Sequence, residues 1–165
     1  MSPRGALSAF LVGWCLAGCS TAGPGAVSVV APSPSGSLAR QCAALVAAVP
    51  AKVAGQRSRA ISPTSRYAAA WGDPVIVLTC GGPAPAALRP TSFCSRIDGV
   101  DWLATQNGKE VDPSASVSAD LDFTTIGRSA YVVVHVPSTY RPAAEALVDL
   151  ATVVKQHTTD LRPCR

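Results

Sequence analysis

Cys19 is the residue whose surroundings specify a chemistry most clearly. Leu16-Ala17-Gly18 precede it, and an apolar run of 12 residues from Ala6 to Ala17 leads up to it. Small residues before a cysteine admit a signal peptidase, and the freed cysteine can carry a lipid on its thiol. The run has the length of a signal h-region. It is too short to span a bilayer, which takes about 20 apolar residues. Residues 1–18 are expected to be a lipoprotein signal peptide, and Cys19 the lipidation site and first mature residue. The alternatives are an ordinary cleaved secretion signal, with Cys19 incidental, and an uncleaved helix. All three place the rest of the chain outside the cytoplasm. A lipid on Cys19 would hold it on the outer face of the cell membrane.

The remaining sulfur chemistry is oxidative. Of six cysteines, Cys15 would leave with the signal, and Cys42, Cys80, Cys94 and Cys164 remain beside Cys19. An even number in an oxidising compartment predicts two disulfides, with three possible connectivities. Cys80 ends an apolar run and Cys94 starts the next segment. That order favours Cys80–Cys94, worth about 3 kcal/mol of chain entropy, and Cys42–Cys164, worth roughly 4 to 5 kcal/mol. No pair has the C-x₂₋₄-C spacing of a zinc knuckle, and no C-x-x-C redox pair is present. No metal and no cofactor are expected.

Catalytic patterns are weak. Gly127-Arg128-Ser129-Ala130-Tyr131 resembles a nucleophile elbow, but Tyr131 stands where the sharp turn needs a small residue. Ser129 therefore reads as a turn serine. Asp73, Asp101 and His135 could serve an extracytoplasmic hydrolase by general acid–base chemistry. Against this, Asp73 precedes Pro74 and Asp98 precedes Gly99, which marks both as turn residues. His135 interrupts an apolar run and reads as a hydrogen-bonded core or edge residue. There is no phosphate loop, EF-hand loop or HExxH motif.

Charge is unevenly distributed. Residues 20–72 carry Arg40, Lys52, Arg57, Arg59 and Arg66 and no acid, whereas residues 73–165 have a net charge of −2. The basic portion is also the portion nearest the anchor. A Lys or Arg near an anionic lipid surface gains about 1 kcal/mol. A solvated basic surface with no partner is the alternative. The expected binding residues are Arg57, Arg59, Arg66, Tyr67 and Trp71. The expected partners are the membrane through Cys19, and an anionic lipid, wall polymer or envelope protein. Nucleic acid is not expected for an exported, mildly basic chain.

These residues need elements to position them. The mature 147 residues suffice for one domain with a core. Scarce Lys and Asn among abundant Ala, Val, Pro, Gly and Arg suggest a GC-rich genome, such as an actinobacterium's. Residues 20–37, rich in Ser, Pro and Gly, read as a flexible tether spanning about 24 Å, so that 19–37 form lipidated cysteine and tether and 38–165 the domain. Leu38, Cys42, Leu45 and Val49 share one helical face, with Ser37 as N-cap and Pro50 as stop. Residues 51–74 read largely as loop. Strands are expected at Val75–Cys80, at Ile97–Thr105 broken by Gly99, near Lys109–Val111, at Asp122–Ile126 and at Ala130–Val136. The first and last of these are apolar at nearly every position, which suggests that both faces are covered. Asn107-Gly108 is a hairpin signal. A second helix is expected over residues 142–157, with Leu147, Leu150, Ala151 and Val154 inward. The expected class is α+β: a single antiparallel sheet of about four to five strands with the N- and C-terminal helices packed on it.

Several strings accumulate along this path: A-A-W-G-D-P at 69–74, V-L-T-C-G at 77–81, G-V-D-W-L at 99–103, T-T-I-G-R-S-A-Y-V at 124–132 and V-P-S-T-Y-R-P-A at 136–143. Together they resemble an actinobacterial family of small exported proteins, defined by domain of unknown function number thirty-five fifteen. The resemblance covers about Cys42 to His157, with residues 112–120 as a local insertion. It implies export and a single domain, and it carries no activity or catalytic residue. The combined expectation is a lipid-anchored, non-catalytic binding or accessory module of the cell envelope.

Overall fold

The computed structural model describes residues 25–112 and 118–162. Its elements in chain order are β1 (Val27–Ser28), α1 (Gly36–Ala47), β2 (Lys52–Val53), β3 (Gln56–Arg59), β4 (Ile61–Ser62), β5 (Ala68–Trp71), β6 (Ile76–Cys80), β7 (Ser95–Ile97), β8 (Val100–Gln106), β9 (Lys109–Glu110), β10 (Leu121–Thr125), β11 (Val132–Val136) and α2 (Ala144–His157). Nine strands form one antiparallel sheet in the order β2-β3-β5-β6-β11-β10-β8-β7, with β9 beside β8. β1 and β4 form a separate parallel pair.

This corrects the expected single sheet of four to five strands. The additional strands fall mainly in residues 51–74, read above as loop. β3 is Gln-Arg-Ser-Arg and β5 is Ala-Ala-Ala-Trp. Neither alternates apolar with polar, and alanine disfavours strands. They pair because β6 presents a free edge to β5 and β5 presents one to β3. Ile97–Thr105 is likewise two strands. Asp98 and Gly99 both adopt positive φ and form a hairpin turn between β7 and β8, as Asn107-Gly108 does between β8 and β9.

The helices cover one face of the sheet. Leu45 and Cys42 of α1 and Leu147, Leu150, Ala151 and Val154 of α2 pack on Ile76, Leu78, Val132, Val134, Phe123 and Trp102. The opposite face carries Val77 and Thr79 of β6 and Val133 and His135 of β11, all half-buried. The central strands thus alternate between a buried face and a partly open one, and are not covered on both sides.

The N-terminal segment departs most from expectation. Of the residues read as tether, 25–37 already belong to the domain, and 20–24 lie outside the described residues. Val27 donates its N–H to the Ala60 carbonyl and Val29 donates to that of Ser62. Val29 is buried. Pro34 lies so close to Gly81 that a Cβ there would meet it at 2.7 Å, and Gly81 itself has φ +93°. The polar, Pro-rich composition of this segment hides its structure, because it is held by backbone pairing and proline contacts instead of an apolar face.

Candidate functional site

A groove runs between residues 28–33, which begin at the last residue of β1, and residues 63–67, which join β4 to β5. Its volume is about 710 Å³, and Val30, Pro32, Pro63, Ser65, Arg66 and Tyr67 are among its walls. Val30 is 96% exposed. Ser65 holds the floor by accepting the Tyr67 N–H at 3.1 Å. Arg66 is exposed and has no ion pair among the described residues. The neighbouring edge is basic as well. Arg57 of β3 stands directly opposite Lys52 of β2, and both are exposed. Like charges so paired repel, and an anion beside them would relieve that repulsion.

Two of the expected binding residues are committed elsewhere. Trp71 is fully buried, and its indole N–H donates to the Pro50 carbonyl at 2.9 Å. Arg59 is a strut with only 14% of its side chain exposed. Its guanidinium donates to the Gly72 carbonyl at 2.9 Å and to the Gly25 carbonyl at 2.5 Å, with Asp73 3.9 Å away. Arg59 thereby ties the point where the chain joins the domain to the turn after β5. Arg57, Arg66 and Tyr67 remain as groups that a ligand could reach. Thr64, Ser65 and Val30, which sequence reasoning did not single out, join them.

Asp73, Asp101 and His135 do not converge. Asp73 neighbours Arg59. Asp101 is buried and takes both guanidinium N–H groups of Arg96, at 2.7 and 2.8 Å. This bidentate pair raises the pKa of Arg96. His135 aligns with Asp122 across β11 and β10, and Asp122 aligns with Thr105 of β8. Asp101 is four residues further along β8, roughly 13 Å at a strand's rise, and two strands away from His135. The Asp/His hydrolase constellation is therefore not assembled, and that reading is dropped.

His135 has acidic neighbours of its own. Its Nδ1 is 2.8 Å from Asp122 Oδ1, and its Nε2 is 3.9 Å from Asp120 Oδ2. The hydrogen bond to Asp122 raises the histidine pKa above its ordinary value, with burial opposing. Asp120 accepts the Ser138 N–H at 2.8 Å, and that bond lowers its pKa. Asp122 was legible as a strand residue, and its pairing with His135 follows from register alone.

The Gly127-Arg128-Ser129 string has a structural task. Ser129 Oγ accepts from the Gln41 amide at 2.7 Å and from the Thr159 N–H at 2.9 Å. Arg128 donates to the Thr158 carbonyl at 2.7 Å. The Gly127 carbonyl accepts the N–H groups of Leu161 and Arg162. The turn is a receptor for the segment following α2. Ser129 is thus committed to tying the turn to α1 and to the segment after α2, in keeping with a turn serine.

The cysteines pair differently from the favoured connectivity. Cys42 of α1 bonds Cys80 of β6, which excludes both Cys80–Cys94 and Cys42–Cys164. The helix stripe that buries Cys42 lies directly on the strand face that buries Cys80, so through-space position overrides closeness in sequence. Cys94 is also disulfide-bonded. Cys19 and Cys164 lie outside the described residues.

A family model described as "Protein of unknown function (DUF3515)" matches residues 6–162. The chain belongs to this family. No curated protein and no solved structure matches it. In this DUF3515 chain the strings that carry the resemblance fall on structural positions: Trp71 in the core, Cys80 in a disulfide, Trp102 in the core and Gly127–Ser129 under the C-terminal segment. The groove residues 63–67 lie outside those strings. The family therefore assigns no ligand to the groove.

Proposed function

We propose that this DUF3515 protein is a lipid-anchored, extracytoplasmic binding module of the cell envelope, held on the outer membrane face through Cys19 and presenting its basic edge to an anionic envelope component. One observation carries the reading: Arg59 of β3, two residues along that strand from Arg57, holds Gly25, which precedes by two residues the strand leading into the groove that Arg66 lines. Gly25 is six residues from Cys19. Six extended residues reach at most about 20 Å, so a lipid on Cys19 keeps that edge close to the bilayer. The L-A-G-C string and the oxidised cysteines support export independently of the groove.

Metabolic labelling with a fatty-acid probe tests the anchor. Wild type should be labelled and Cys19→Ala should not; equal labelling of both sinks the anchor. Retention tests the edge. Arg57→Ala/Arg66→Ala should wash from isolated envelopes at lower salt than wild type, because exposed charges are screened within about 10 Å at 0.1 M. Identical retention removes these two residues from the binding role. Arg59 is left intact in this test because its loss would free the N-terminal segment.

A further inference from the structure

We infer that the groove between residues 28–33 and 63–67 is seated on the bilayer itself, with Val30 inserted among the lipids and Arg66 against the phosphate of an anionic headgroup. This rests on the anchored reading above and specifies its partner. Three observations meet at this place. Val30 is an aliphatic side chain left 96% exposed at the lip of the groove. Burying a valine gains about 1.5 kcal/mol or more, so water is a poor neighbour for it. Arg66 lies in the same groove without an ion pair among the described residues, and residues 20–72 contain no acid at all. The groove's own lining contains no Asp or Glu, and the exposed acid beside this edge is Asp73, 3.9 Å from Arg59. Finally, the strand that leads into the groove is the one nearest the anchor. β1 begins two residues after Gly25, and Val30 follows β1 by two. The short tether thus delivers this lip, in preference to α2 or the sheet edge at β7, to the membrane.

An apolar tip beside a cation is the arrangement that interfacial anchors use: apolar area enters the acyl boundary while the charge stays at headgroup level. The groove's hydroxyls, from Ser28, Ser33, Thr64 and Ser65, can donate to phosphate oxygens. A wall polymer would need the same charges but would have no use for Val30, and this separates the two.

The test uses the processed, lipidated protein in vesicles of phosphatidylcholine alone or with phosphatidylglycerol, read by hydrogen exchange. Amides of Val30, Ala31, Ser33 and 64–66 should exchange about fivefold more slowly on the anionic vesicles, the weight of one cation near a charged surface. Val30→Asp and Arg66→Glu should each abolish that slowing. Val148→Asp, at an exposed position on α2, should leave it intact. Slowing that survives both groove variants overturns the seating, as does equal exchange on the two vesicle types. The mass of the N-terminal peptide, read from the same digest, reports the anchor separately. Lipid mass with equal exchange overturns the seating and leaves the anchor standing. Absence of lipid mass overturns the anchor and the seating with it.

Discussion

Gly127 shows how much one residue can settle. Its φ is +65°, and a Cβ at this position would lie 1.7 Å from the Arg162 carbonyl oxygen. Backbone, not a flexible side-chain end, occupies that space, so a side chain must displace the C-terminal segment or distort the turn. Gly127→Ala should cost at least about 2 kcal/mol, combining left-handed strain with lost contacts. Urea denaturation checks this, and a midpoint equal to wild type would contradict it. His135 offers a titration instead. Its folded-state pKa is raised above 6.5 by Asp122. A raised histidine contributes stability that is full below its unfolded value and is lost as pH rises through the folded one. Asp120 behaves oppositely: its lowered pKa gives stability above 3.8 that disappears as pH falls through the folded value. His135→Gln should therefore be less stable than wild type at pH 5.5 and approach it at pH 8.5. A gap of the same size at both pH values would show that packing, and not charge, is the role of this histidine.

At the scale of elements, sequence and structure agree where a hydrophobic period is present and part where it is not. Both helices were legible from apolar stripes, within two residues at each end. β6, β10 and β11 were legible from their Val, Ile and Phe content, and the β8–β9 hairpin from Asn107-Gly108. β3, β4 and β5 were not, because strands of two to four residues take their pairing from neighbours instead of from their own pattern. The Asp98-Gly99 turn was visible as an interruption, yet only its positive φ angles identify it as a hairpin. The same distinction governs the site. Arg66 and Tyr67 were legible as polar and aromatic loop residues. The groove itself was not, since its other wall lies in a segment whose composition reads as tether. Arg59 and Trp71 were misread because a sequence does not show that a guanidinium is spent on two carbonyls or an indole on one. The Cys42–Cys80 bond is the strongest element-level constraint. It ties α1 to the central strand β6 across a separation of 38 residues, for which the chain-entropy model gives about 4 kcal/mol. Cys42→Ala/Cys80→Ala should lower Tm by about 10 °C or more. A shift of a few degrees would mean that packing of α1 on the sheet holds without the crosslink.

The described part of the molecule is organised around where its two ends, at Gly25 and Arg162, are fastened. The N-terminal end is held at the basic edge by Arg59 and by the β1–β4 pairing. The C-terminal end turns back after α2 onto Gly127, Arg128 and Ser129, and Arg128 forms an isolated bridge with Asp160. From there a chain of contacts leads toward Cys94. Ile126 donates its N–H to the Asp101 carbonyl, Asp101 grips Arg96, and the Asp160 carboxylate acts on Arg96 as well. Arg96 is two residues from Cys94. Cys42 and Cys80 occupy each other, and under the proposed anchoring Cys15 would leave with the signal and Cys19 would carry lipid. If so, a bond from Cys94 to Cys164, which lies outside the described residues, is the pairing to test. A Cys94–Cys164 bond would close most of the second half of the chain, worth about 4 kcal/mol by the same entropy model. It would also clamp the latch that Gly127 receives, so the two should be coupled. Digestion without reductant should release one peptide pair joining Cys94 to Cys164 and another joining Cys42 to Cys80. Cys164→Ser should leave Cys94 open to alkylation and lower the cost of Gly127→Ala, because a tail already loosened has less to lose. A Cys164 thiol that alkylates freely in the native protein would refute the pairing. Full additivity of the two substitutions would refute the coupling.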